Sequence, residues 1–109
     1  MADQPTISTH VLDTASGRPA SGVHVTLYRI TDDGRPLRLT QALTDDDGRV
    51  RDLLDRPLAT GTYRLELNLG DRSPFFARAA IDVRVDSVER SVHVPLLVSP
   101  YSLTTYRGS

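Results

Sequence analysis

Polarity alternates with a period of two along most of this chain, a pattern that lets a pleated strand bury one face but does not suit a helix. Ile7, Thr9 and Val11 alternate with Ser8, His10 and Leu12, and Val23, Val25 and Leu27 alternate with His24, Thr26 and Tyr28. Leu37, Leu39, Gln41 and Leu43 form a third series; Tyr63, Leu65, Leu67 and Leu69 a fourth. Ile81, Val83 and Val85 give a fifth, and Val92, Val94 and Leu96 a sixth. Each run reads as a half-buried strand. Turn residues separate the runs, among them Ser16-Gly17-Arg18-Pro19, Asp32-Asp33-Gly34, Asp45-Asp46-Asp47-Gly48, Thr60-Gly61, Gly70-Asp71 and Ser99-Pro100. Glycine supplies positive φ there, and aspartate carboxylates accept bonds from nearby amides. Short strands at this spacing predict an all-β sandwich. The windows 53–58 and 71–80 hold at most one helical turn each, because Pro57 and Pro74 interrupt them.

A chain of 109 residues is expected to be a single domain, 1–109, with residues 1–6 flexible. Thirteen basic residues balance fourteen acidic ones without a basic stripe, which argues against nucleic acid and anionic membranes as partners. Cysteine is absent, so disulfides, thiolate catalysis and Cys-ligated zinc are excluded. The first residues carry no basic stretch followed by an apolar run, and no apolar run approaches the ~20 residues of a membrane span. A cytoplasmic location is expected.

Strand alternation turns Val92, Val94 and Leu96 toward the core, so Ser91, His93, Pro95 and Leu97 face outward. The same logic puts His10 and Leu12 on an outer face. That face, with Leu12, Pro95, Leu97 and Val98, is expected to be apolar enough to mark an interface. His10 and His93 therefore sit on outward faces beside apolar residues. His24 lies mid-strand with no motif around it. Arg49 follows Gly48 at a turn, where a guanidinium fork can clamp planar oxygens and nitrogens. The chain ends in Tyr106-Arg107-Gly108-Ser109, an aromatic, a guanidinium and a glycine where most termini carry nothing distinctive. Such an end is expected to pack into a site. The aspartate run 45–47 lacks the spacing and closing glutamate of a calcium loop. Two histidines on different strands have no third protein ligand for zinc, so no metal is expected.

The stretch Ser8-Thr9-His10-Val11-Leu12-Asp13-Thr14, the Asp46-Asp47-Gly48-Arg49 turn, His93-Val94-Pro95-Leu96-Leu97 and the terminal Tyr-Arg-Gly-Ser together resemble the 5-hydroxyisourate hydrolases, the transthyretin-related enzymes of urate breakdown. The resemblance spans about residues 7–109. It implies a transthyretin-like (prealbumin-like) two-sheet β-sandwich of about seven to eight strands with little or no helix. It also implies a homotetramer, a dimer of dimers whose sites line the channel between paired dimers. The implied activity is hydrolytic ring opening of 5-hydroxyisourate without a cofactor. His10, Arg49 and His93 fall on the catalytic positions, and Tyr106, Arg107, Gly108 and Ser109 on the substrate-binding tail. Either histidine could be the general base. The chain departs from the family pattern at Ser91, where a histidine is usual, at Ala77, where proline is usual, in a shortened segment 70–76, and in lacking a tryptophan near Leu37. Alternatives consistent with these departures are an enzyme acting on another small heterocycle, or a non-catalytic carrier of small ligands.

Overall fold

The computed structural model describes residues 4–109. The strands are β1 (Ile7–Asp13), β2 (Arg18–Pro19), β3 (His24–Ile30), β4 (Pro36–Leu43), β5 (Arg49–Val50), β6 (Gly61–Asn68), β7 (Arg78–Val85), β8 (Val92–Val98) and β9 (Leu103–Thr105). One sheet runs β2-β1-β8-β9 with β5 also paired to β1, and the other runs β4-β3-β6-β7. The two-sheet, all-β expectation holds. The strands number nine among the described residues because β2 and β5, of two residues each, are too short to show any periodicity. Among the described residues helix is confined to one 3-10 turn, Gly70–Arg72, and none forms over 53–58, where Leu53, Leu54 and Leu58 are buried from irregular backbone. No helix among the described residues is long and apolar enough to cross a membrane.

The core lies between the sheets. Ile7, Val11, Val25, Leu27, Leu65, Leu67, Leu96 and Val98 are almost completely enclosed. Burial on this scale contributes about 25 cal/mol per Å² of apolar surface. Polar atoms that enter the core are bonded. Thr9 Oγ1 donates to the Val94 carbonyl (2.6 Å), and the Tyr63 hydroxyl accepts from Arg29 Nη1 (3.2 Å) and the Ala59 amide (3.3 Å).

Two expectations about facing are corrected. Leu37, Leu39, Gln41 and Leu43 do not share a buried face: Leu37 and Leu43 are more than half exposed, while Leu39 and Ala42 pack on the core. A register shift opposite Leu27 and Tyr28 inserts an extra residue into β4, and a bulge reverses the phase of alternation. Val98 belongs to the core, not to the outer face, as its even spacing from Val94 and Leu96 requires, and Pro95 is also buried.

β1 and β8 pair in parallel, from Ile7 opposite Val92 to Asp13 opposite Val98. The first long strand and the last thus lie side by side, although some 85 residues separate them. Of residues 1–6, expected to be flexible, residues 1–3 lie outside the described ones. Thr6 is tied to Ser91 and to the first residue of β8: its amide donates to Ser91 Oγ (3.0 Å) and its carbonyl accepts from the Val92 amide (2.8 Å).

Candidate active site

The outer face of the first sheet gathers residues from three strands and the tail. In the β1–β8 register Ser8 lies opposite His93, and in the antiparallel β1–β5 register His10 lies opposite Arg49. Residues directly opposite one another point to the same side of a sheet, with Cβ atoms about 4.5–5.5 Å apart. The tail supplies the fourth part. An isolated bridge joins His93 to Gly108, whose amide donates to the His93 carbonyl (2.8 Å).

The turn that carries Arg49 is built by one carboxylate. Asp45 Oδ1 accepts from the amides of Asp47 (2.9 Å) and Arg49 (3.0 Å), and the Asp45 carbonyl accepts from Gly48 N (2.9 Å). Bonding to the Arg49 amide, first among the causes, holds the Asp45 carboxyl below its ordinary pKa. Gly48 has φ +76°, and a Cβ there would overlap the Val11 carbonyl oxygen. Its own carbonyl accepts from Val11 N (2.7 Å), which docks the turn on β1. Only glycine fits a site that combines this dihedral with so close an approach.

His10 Nε2 lies 2.8 Å from the Asp47 carbonyl. A carbonyl can only accept, so Nε2 carries the proton and Nδ1 the lone pair in the neutral ring. His93 Nδ1 lies 2.7 Å from Ser8 Oγ. Its pKa is lowered, first by burial, then by the Arg49 charge and then by His10. All three causes oppose a second proton on this ring, so His93 stays neutral at a pH where a free imidazole is half charged. A neutral, half-buried imidazole beside a guanidinium can accept a proton from water while the arginine stabilises an anion.

His93 and Arg49 share a groove of about 490 Å³ with Ser8, Arg51, Ser91 and Ser109. The structure thus brings Arg49, His93 and Ser109 together, with Gly108 against the His93 ring and His10 alongside Arg49. Tyr106 and Arg107 stand apart from these in a single chain. They line a separate cavity of about 260 Å³ with Ile81, Val83 and Arg84. His24 lies on the other sheet. Among the described residues, no three histidine, aspartate or glutamate side chains converge as they would around a metal ion.

Known proteins resemble this chain over nearly its whole length. Residues 7–108 match the HIUase/Transthyretin family. A 5-hydroxyisourate hydrolase of Caulobacter vibrioides is 43% identical over 94% of this chain and 97% of its own. The chain belongs to the HIUase/Transthyretin family. Two solved members of similar shape are a Klebsiella pneumoniae 5-hydroxyisourate hydrolase (34% identity, TM-score 0.82, 95% of this chain and 99% of that one) and sea bream transthyretin in complex with thyroxine (25% identity, TM-score 0.86, 94% and 93%).

Within this HIUase/Transthyretin domain, several residues at the groove were not singled out from the sequence. Ser8 was legible only as part of the histidine motif. Asp45 was legible as a turn residue but not as the group that orients Arg49. Arg51 forms a loose exposed pair with Asp47 (3.7 Å), of a kind that contributes little to stability. Its place in the groove follows from β5, a strand of two residues that no pattern announces.

Proposed function

We propose that this protein is a hydrolase that opens the ring of 5-hydroxyisourate, yielding 2-oxo-4-hydroxy-4-carboxy-5-ureidoimidazoline on the route from urate to allantoin. One observation carries the reading: a histidine held below its ordinary pKa shares a groove with an arginine and the chain's own last residue. The near-full-length likeness to a 5-hydroxyisourate hydrolase supports the same chemistry.

In this proposal His93 takes a proton from water as the oxygen adds to the ring carbonyl carbon. Arg49 faces the oxyanion that forms, an interaction that typically supplies the largest electrostatic share of such a barrier. Collapse breaks the ring carbon–nitrogen bond, and the His93 imidazolium returns its proton to the departing nitrogen. The new carboxyl then ionises. His10, whose Nε2–H is committed to Asp47, offers Nδ1 as an acceptor for a substrate N–H. Gly108 and Ser109 close one end of the groove. Tyr106 and Arg107, expected to bind substrate, lie outside that groove within one chain, in the cavity beside Ile81 and Val83.

Assembly as a homotetramer, with sites in the channel between dimers, belongs to the same proposal. Its support is an open groove on a face where half-buried Leu12 and Leu97 lie side by side. Light scattering on the purified protein tests this part, and a monomer at assay concentration would remove it. The activity is tested by following the ultraviolet absorbance of freshly generated 5-hydroxyisourate, which decays unaided. Acceleration by catalytic amounts of protein at neutral pH is expected; an unchanged decay would overturn the assignment.

A further inference from the structure

The His93 ring is held on two edges. Ser8, its partner in the parallel register, places Oγ 2.7 Å from Nδ1. On the opposite edge Gly108 lies so close that a Cβ would overlap Cδ2 and stand 3.1 Å from Cγ. Rotation about the Cβ–Cγ bond would break the first contact, and the second leaves room for the ring only because residue 108 has no side chain. Among the described residues Nε2 has no hydrogen-bond partner, so it is the nitrogen left for the groove.

A neutral imidazole has one N–H, and which nitrogen bears it decides whether the groove meets a base or a donor. A hydroxyl can play either part, so Ser8 alone does not decide. Arg49 lines the same groove, where a cation favours a lone pair over an N–H on the ring nitrogen left open to it. We propose that Ser8 is a positioning residue, whose hydroxyl accepts the Nδ1 proton of His93 and so leaves the Nε2 lone pair as the basic atom facing substrate. Two hydrogen bonds to oxygen acceptors then give the two histidines opposite tautomers: Nε2–H on His10 toward a carbonyl, Nδ1–H on His93 toward a hydroxyl.

The assignment of a catalytic base rests on the hydrolase reading, but the tautomer does not, and nitrogen NMR of histidine-labelled protein reads it without substrate. At a pH where His93 is neutral, the wild-type ring is expected to show a protonated Nδ1 and a bare Nε2. A bare Nδ1 would overturn the proposal even if the enzyme is active. If the tautomer is as stated but 5-hydroxyisourate decays unaided, the hydrolase reading fails and the Ser8 contact stands. Kinetics add a second arm. Ser8→Ala is expected to lower kcat about three- to tenfold, in line with one lost hydrogen bond, with KM little changed and both tautomers populated. Ser8→Thr, which keeps the hydroxyl, is expected to restore kcat and the single tautomer. A folded Ser8→Ala protein with wild-type kcat and an unaltered tautomer would also overturn the proposal.

Discussion

Arg49 stands opposite His10 across the β1–β5 ladder, and its charge reaches His93 on the neighbouring strand. The direction of the resulting shift sets a pH dependence. Burial, Arg49 and His10 all lower the His93 pKa from 6.5, so the ring stays neutral to a more acid pH than a free histidine. The acid limb of kcat/KM is therefore expected below pH 6.5. Replacing Arg49 by Gln removes one cause and leaves burial, so the limb moves up toward that value without passing it. The rate falls at least about tenfold, as when one anion-stabilising donor is lost. A pH–rate profile of both proteins checks this, and a limb that does not move would mean that His93 is not the group seen.

Charge and shape at Arg49 separate in Arg49→Lys. The ammonium keeps the cation, so the acid limb stays low. It loses the planar fork that meets two oxygens at once, so kcat/KM still drops. Equal loss in the Lys and Gln variants at every pH would assign the whole effect to geometry.

Gly48→Ala is expected to destabilise the protein by more than the ~1–2 kcal/mol that a left-handed dihedral alone costs an L-residue. The added Cβ meets backbone, the Val11 carbonyl oxygen and the Ala20 amide nitrogen, neither of which can swing aside. Gly34→Ala is the control, since Gly34 has φ +84° with nothing within 4 Å of its Cβ position. Urea unfolding should rank Gly48→Ala well below Gly34→Ala. Equal losses would mean that the turn moves off β1 without cost.

Asp45→Ala removes the acceptor that holds the Asp47 and Arg49 amides, and activity is expected to fall with the loosened turn. Asp45→Asn keeps an oxygen acceptor and most of the rate. Asp46→Ala is expected to leave the rate unchanged. Assays of the three variants side by side check whether one carboxylate, rather than the acidic run as a whole, positions Arg49.

How far the sequence reached depended on the length of the signal. The runs at Ile7–Val11, Val23–Leu27, Tyr63–Leu69 and Val92–Leu96 alternate over enough residues to give strand, face and core together, and their buried residues are those expected, Pro95 excepted. The β4 run misled because a bulge adds one residue without leaving a mark on polarity. β5 and β9, of two and three residues, were invisible for want of length, yet they carry Arg49 and feed the tail toward His93. The histidines and arginine were legible as types in a motif. Their supports were not, because Ser8 and Gly108 matter through a parallel register and a bridge between residues far apart in the chain.

The tail offers the sharpest separation of site from fold. Gly108 is not at positive φ, so its lack of a side chain answers to the His93 ring and not to the backbone. Gly108→Ala must either turn that ring away from Ser8 or lift the last two residues off β8. Both displace groups by a fraction of a side chain, and misplacement on that scale costs roughly ten- to hundredfold in rate. Stability should scarcely change, because Gly108 contributes one bridge at the end of the chain and no residue of the core. The expected outcome is an unchanged thermal melt with kcat reduced at least tenfold. A variant that melts as wild type and turns over as wild type would mean that the His93 ring has room to spare, and that the glycine is not what holds it.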